Sequence, residues 1–303
     1  MRAIKKFQSK KKIKYFIECY LQLVGITNFN IVRVIICFFL ISCQEEKNVT
    51  NAPMKIVVEG SIEEKEPAFV VLSKSIPINV NLNLNTIDQY FIRAAKVTVS
   101  TDDKQEILRL KMMPGYYPPF VYVGEEILGQ IGKKYHLKVE YKGQIITAET
   151  IIPKTVLIQT LDFQKIDENK GKLVIGFTDD LDKNYYQITT RIRGKDSLFV
   201  PTLYGNIDDN SLKGEKVSLN ILKGIKFFPE KDTDTNFPID KIIEVKLKNM
   251  NKETYEFWNS WQNDVLNGQN PLFPSVFNLK TNIKGGFGIW AGYGSDLKLI
   301  RAK

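Results

Sequence analysis

Few side chains in this 303-residue chain are of a type and spacing that could do chemistry. The run Asp232-Thr233-Asp234-Thr235-Asn236, with Asp240 after it, puts side-chain oxygens at alternate positions, as loops that hold a hard cation do. Calcium at Asp232, Asp234, Asn236 and Asp240 is therefore the one metal reading. Phe237 stands where the turn glycine of such a loop belongs and Ile243 where a bidentate glutamate belongs. A solvated loop is the favoured reading, and no cofactor is expected. His136 is the single histidine. In YHLKVEY it shares the polar face with Lys138 and Glu140, and no second histidine exists for a metal site. Asp179, Asp180 and Asp182 form an acidic turn. A carboxylate pair for glycoside hydrolysis is set by space rather than by sequence spacing, and no pair stands out. Gly285, Gly286 and Gly288 lack the Gly-Lys-Ser/Thr of a phosphate loop, so close backbone packing is their expected role. In PGYYPPFVY (114–122), Tyr116, Tyr117, Phe120 and Tyr122 sit on a proline-stiffened loop. They could stack on a sugar or a partner, or seal the end of a β-sandwich; the second reading is favoured. These residues make no catalytic constellation, and a non-enzyme is expected.

The three cysteines are Cys19, Cys37 and Cys43. The chain opens basic, MRAIKKFQSKKKIKYF, and reaches the apolar run VIICFFLIS at 34–42. That run is too short to cross a bilayer, which takes roughly 20 apolar residues. A basic segment, a short apolar run and a small residue before a cut site read together as a signal peptide over residues 1–42. Leu40-Ile41-Ser42-Cys43 resembles the lipobox of bacterial lipoproteins. The resemblance implies acylation of the Cys43 sulfur, cleavage just before it and a lipid-bearing N-terminus. Acyl chains contribute about 0.8 kcal/mol per buried CH₂, so two or more hold a soluble domain stably. Gln44-Glu45-Glu46-Lys47 resembles the surface-export signal of Bacteroidota lipoproteins, with Glu45 and Glu46 as its acids. That implies a domain lipid-anchored in the outer membrane and facing the exterior.

The leader distorts the composition. Residues 1–42 carry eight basic residues and one acid, so the net charge falls from +9 to +2 without them. No long basic run remains, and nucleic acid is not an expected partner. Cys43 is then the only cysteine left, which rules out disulfides, thiol catalysis and a cysteine-based metal site beyond residue 42.

From Met54 onward short alternating segments dominate: KIVVEG, AFVVLS, AKVTVS, EILRLK, YHLKVEY and QIITAETII, then KLVIGF, YYQITTRI, LFVPTL, KVSLNI, IKFF and IIEVKLKN. In AKVTVS, Val97 and Val99 face one way while Lys96 and Ser100 face the other, the period of a half-buried strand. Lys142-Gly143 reads as a hairpin turn. One helix is expected at about 252–266, capped by Asn251 and ended by Asn267-Gly268, with Tyr255, Trp258, Val265 and Leu266 along one face and Trp261 beside it. The sequence predicts a mainly β protein. Residues 43–53 serve as lipid anchor and linker, 54–153 as an immunoglobulin-like β-sandwich, and 154–303 as a second antiparallel β domain, sandwich or barrel-like. NIKGGFGIWAGYG and LKLI are expected to form a return strand and an edge.

The tail NKETYEFWNSWQND…PLFPSVFNLKTNIKGGFGIWAGYG resembles the C-terminal signature of the Bacteroidota lipoprotein family catalogued as domain of unknown function 4249. Asn282, Gly285, Gly286 and Gly288 match its pattern, and Trp290 stands where an aromatic follows. IVVEGSI, AFVVLSKS and GQIGKKYHLKVEYKGQIITAETIIP fit its front half. The resemblance implies a non-catalytic accessory or ligand-capture partner of a TonB-dependent β-barrel transporter in nutrient uptake. The rival expectations are a cell-surface hydrolase of glycan or peptide, and a structural or adhesive envelope protein.

Overall fold

The computed structural model describes residues 54–76, 84–113, 119–212, 214–226, 231–267 and 279–303. Leu40, Ile41, Ser42, Cys43, Glu45 and Glu46 lie outside the described residues, as do Tyr116 and Tyr117. The strands in chain order are β1 (Ile56–Glu63), β2 (Pro67–Lys74), β3 (Lys96–Ser100), β4 (Gln105–Ile107), β5 (Arg109–Met112), β6 (Phe120–Leu128), β7 (Lys134–Tyr141), β8 (Gln144–Ile151), β9 (Ile158–Lys165), β10 (Lys170–Thr178), β11 (Tyr185–Ile192), β12 (Val200–Asp208), β13 (Lys216–Ile221), β14 (Phe237–Pro238), β15 (Ile242–Met250) and β16 (Phe287–Arg301). Among the described residues two α-helices accompany them, the single turn α1 (Leu84–Ile87) and α2 (Lys252–Asn267). No helix among the described residues is long and apolar enough to cross a membrane.

One eight-stranded sheet, β12-β11-β15-β16-β1-β2-β6-β5, backs two four-stranded sheets, β4-β3-β7-β8 and β13-β10-β14 with β9 on β10. Alternation explains the layering. In β1 the buried positions Ile56, Val58 and Ile62 are two or four apart, and they face Val97, Leu137, Val139 and Ile146 of the first small sheet in one core. A second core joins Leu173, Ile175 and Phe177 of β10 to Tyr186, Ile188, Val245 and Leu247 of β11 and β15. The molecule therefore has two sandwich-like layers against a single sheet common to both cores, and the first core takes in Ile283 and Trp290 from beyond Pro153.

β16 makes that sheet continuous. Its residues Phe287 to Tyr293 pair in parallel with β1, and Gly294 to Arg301 pair antiparallel with β15. The expected return strand and edge are one 15-residue strand in the middle of the sheet. EILRLK, expected as one strand, breaks at Leu108. That side chain drops into the first core at 4 % exposure, and the chain passes from the small sheet (β4) to the large one (β5). IKFF contributes a bridge at Lys226, and its two phenylalanines lie outside the described residues. The Lys142-Gly143 turn forms as expected, both residues at positive φ (48° and 78°), closing the β7–β8 hairpin.

α2 lies on the face of the large sheet opposite the two cores. Phe257, with Tyr255 and Trp258 beside it, packs on Ile289, Ala291 and Tyr293 of β16. The Trp258 indole N–H donates to the Tyr293 hydroxyl at 2.7 Å, and Trp261 meets Trp258 edge-on. Asn251 caps the helix, its Oδ1 accepting from the Thr254 N–H at 3.0 Å.

Candidate functional site

The segment with the densest conformational demands is 282–290. The Asn282 side chain accepts from the Trp290 N–H at 3.0 Å and donates to the Trp290 carbonyl at 2.8 Å. It thereby supplies the hydrogen bonds that a strand beside this half of β16 would make. Gly288 has φ +107°, and a Cβ there would lie 1.8 Å from the Val58 carbonyl oxygen. Gly285 has φ +85° against the Ile145 carbonyl, and Gly286 lies against that of Ile56. Trp290 is fully buried in the first core, its indole N–H donating to the Tyr135 carbonyl at 3.1 Å. The glycines hold backbones close together, as the sequence suggested for them.

The same segment borders a cleft of about 540 Å³. β7 and β8 give it Lys134, His136, Glu149 and Thr150; residues 282–284 give it Asn282 and Lys284; the start of α2 gives it Asn251 and Glu253. Lys284 and Thr147 exchange both backbone bonds, at 3.1 and 2.8 Å, so the segment is pinned to the edge of β8. Alternation along β8 turns Glu149 outward beside its cross-strand neighbour His136, whose Nδ1 is 3.7 Å from the Glu149 carboxylate, and Lys134 Nζ is 3.8 Å from it. Thr150 is 2 % exposed, and its hydroxyl has no hydrogen-bond partner. The cleft joins positions from 134–151, 251–253 and 282–284, so no short-range pattern could reveal it. His136, Asn251 and Asn282 stood out in the sequence for other reasons; Lys134, Glu149, Glu253 and Lys284 did not.

The model of the family described as a domain of unknown function, DUF4249, matches residues 45–298. The chain belongs to that family. The DUF4249 match takes in β1 to β15 and α2 and ends within β16. No curated protein matches this DUF4249 chain. Among solved structures, the chicken CNTN1 FN1–FN3 domains share 10 % identity over 83 % of this chain and 69 % of theirs, with a TM-score of 0.22. Bovine butyrophilin shares 8 % over 66 % of this chain and 93 % of its own, with a TM-score of 0.18.

The remaining candidates of this DUF4249 protein are placed as follows. Phe120 begins β6 with the Arg93 guanidinium 3.8 Å over its ring. Tyr122 is 2 % exposed, and its hydroxyl donates to the Ile92 carbonyl and accepts from the Ala95 N–H, so it is a core pin and not a stacking platform. Asp232 pairs with Lys223 and Lys195, which together hold its carboxyl well below the usual range against the opposing effect of burial. Asp234 pairs with Lys170 at 2.6 Å. Asn236 donates its backbone N–H to Asp234, and Asp240 is exposed at φ 58°. These carboxylates diverge onto lysines, and among the described residues no three His, Cys, Asp or Glu side chains are arranged to hold a metal. In the acidic turn, Asp179 accepts from the buried Tyr186 hydroxyl and Asp180 from the Asn184 amide at 2.6 Å.

The DUF4249 sheet also carries an ionic cluster that alternation alone did not announce. Glu63 of β1 meets Lys246 at 2.7 Å and Lys248 at 3.3 Å, all three side chains at most 16 % exposed. Burial opposes the charged form of Glu63, but the two ammonium groups outweigh it and hold its carboxyl at about 2. Burial draws Lys248 down, and its ammonium lies 4.3 Å over the Tyr293 ring. Glu244 is clamped by Arg191 and Arg193 in the same way.

Proposed function

We propose that this DUF4249 protein is a lipid-anchored outer-membrane lipoprotein of the Bacteroidota type. In this reading it faces the exterior and serves, without catalysis, as an accessory of a TonB-dependent β-barrel transporter. The observation that carries the reading is the placement of Cys43. It follows an apolar run and a small residue, stands two residues ahead of the family match, and precedes a first strand that begins at Ile56. A thiol acylated there tethers the whole β body by a short connecting segment. The carboxylates support the non-catalytic part. Glu63, Glu244, Asp232 and Asp234 each spend their charge on lysine or arginine, which leaves none of them poised as an acid or base.

Cys43→Ala tests the anchor. The expected result is loss of radiolabelled palmitate incorporation and release from the membrane fraction; unchanged label and fractionation sink the reading. Affinity purification of the wild type from detergent is expected to bring down a β-barrel receptor. Recovery of the lipidated protein with no barrel would remove the transporter role while leaving the anchor intact.

A further inference from the structure

We infer that the cleft between β8, residues 282–284 and the start of α2 binds a small zwitterion, the chemistry of a free amino acid or a short peptide. Its volume, about 540 Å³, suits a ligand of that size. The groups lining it are balanced in charge, with Lys134 and Lys284 against Glu149 and Glu253. Two of the four are already engaged, because Glu149 lies within 4 Å of both Lys134 and His136. Among the described residues Lys284 and Glu253 have no ion-pair partner, which leaves one cation and one anion to meet a ligand that carries both charges.

Two further groups favour the carboxylate end. Asn251 Oδ1 is taken by the Thr254 N–H, so the N–H groups of Lys252 and Glu253 have no partner within the helix. α2 is 16 residues long, and the positive end of its dipole opens beside Asn251 and Glu253 on the cleft wall. A purely anionic ligand would face Glu253 uncompensated, and a neutral sugar would leave Lys284 and Glu253 unused. This inference rests on the cleft alone and is independent of membrane anchoring.

Calorimetric titration of the full chain at low salt tests it, with glycine and triglycine as zwitterions and acetate, ethylamine and glucose as partial matches. The expected result is binding of at least one zwitterion, at least tenfold tighter than acetate or ethylamine, with glucose silent. The tighter of glycine and triglycine identifies amino acid or peptide as the source. Lys284→Ala and Glu253→Gln, both at exposed positions, are each expected to weaken that binding about tenfold. Lys111→Ala, distant and paired with Glu125, is expected to change nothing. Heat from neither zwitterion, affinity for acetate or glucose equal to theirs, or unchanged affinity in either charge variant overturns the inference.

Discussion

Asn282 and Trp290 hold each other by two hydrogen bonds of opposite sense, side chain to backbone, at 2.8 and 3.0 Å. The second half of β16 has β15 as its antiparallel partner, and the first half has Asn282 in that place. Asn282→Ala leaves the Trp290 N–H and carbonyl without partners. At about 1–3 kcal/mol per stranded group, a loss of roughly 2–6 kcal/mol is expected from urea midpoints. Asn282→Asp keeps the acceptor and loses the donor, so it should fall between wild type and alanine. An alanine variant as stable as wild type would show that the pair is incidental.

Gly288 and Gly132 both adopt positive φ, at 107° and 79°, but in different surroundings. A Cβ at Gly132 meets nothing within 4 Å, whereas one at Gly288 would collide with the Val58 carbonyl. Gly132→Ala should therefore carry only the left-handed cost of about 1–2 kcal/mol, a fall in Tm of roughly 2–8 °C. Gly288→Ala must in addition push β1 from β16 where their parallel ladder begins. The expected outcome in thermal melts is a fall well beyond that of Gly132→Ala, and equal melting of the two variants would contradict the close approach.

The Glu63 cluster gives the protein an acid limb. The folded carboxyl, held at about 2, lies below its ordinary value of 4.5. A depressed carboxyl contributes stability that is complete above the unfolded value and disappears as pH falls through the folded one. Of order 3 kcal/mol should thus be lost between about pH 5 and pH 2. Urea midpoints across that range should flatten in Glu63→Gln, which is also expected to be the weaker protein at pH 7 because Lys246 and Lys248 then share no anion. A wild-type slope retained in the variant would assign the acid limb elsewhere.

Period-two alternation made most strands legible, because β1, β3, β7 and β8 each bury one face against a core. β6 was hidden by its Gly124-Glu125-Glu126 interruption. There the backbone N–H groups of Glu125, Glu126 and Ile127 turn to the Glu106 carboxylate in place of a regular ladder. Trp290, Asn282 and the glycines stood out as a pattern, but their partners Val58 and Tyr135 are more than 150 positions away. The cleft was illegible for the same reason, since Lys134, Glu253 and Lys284 are ordinary surface residues until the fold assembles them. Tyr122 is in the core, as the favoured of its two readings had it, but its hydroxyl partners Ile92 and Ala95 lie some 30 positions away and could not be read.

The dual pairing of β16 predicts that the two cores can be separated from the C-terminal end. Ending the chain after Gly294 removes the antiparallel half of the strand and exposes the edge of β15. The Ile158 N–H then loses its Asp296 acceptor at 2.8 Å, and the second core loses Ile300 and Ala302. The first core keeps Trp290 and the whole parallel ladder with β1. Hydrogen exchange should therefore show residues 156–250 losing protection while β1, β3, β7 and β8 retain it. Trp290→Ala should do the reverse and open the first core, at roughly 3–5 kcal/mol. If truncation instead releases both cores together, the shared sheet folds as one cooperative unit and the two sandwiches have no separate stability. If it releases neither, β15 does not depend on its partner.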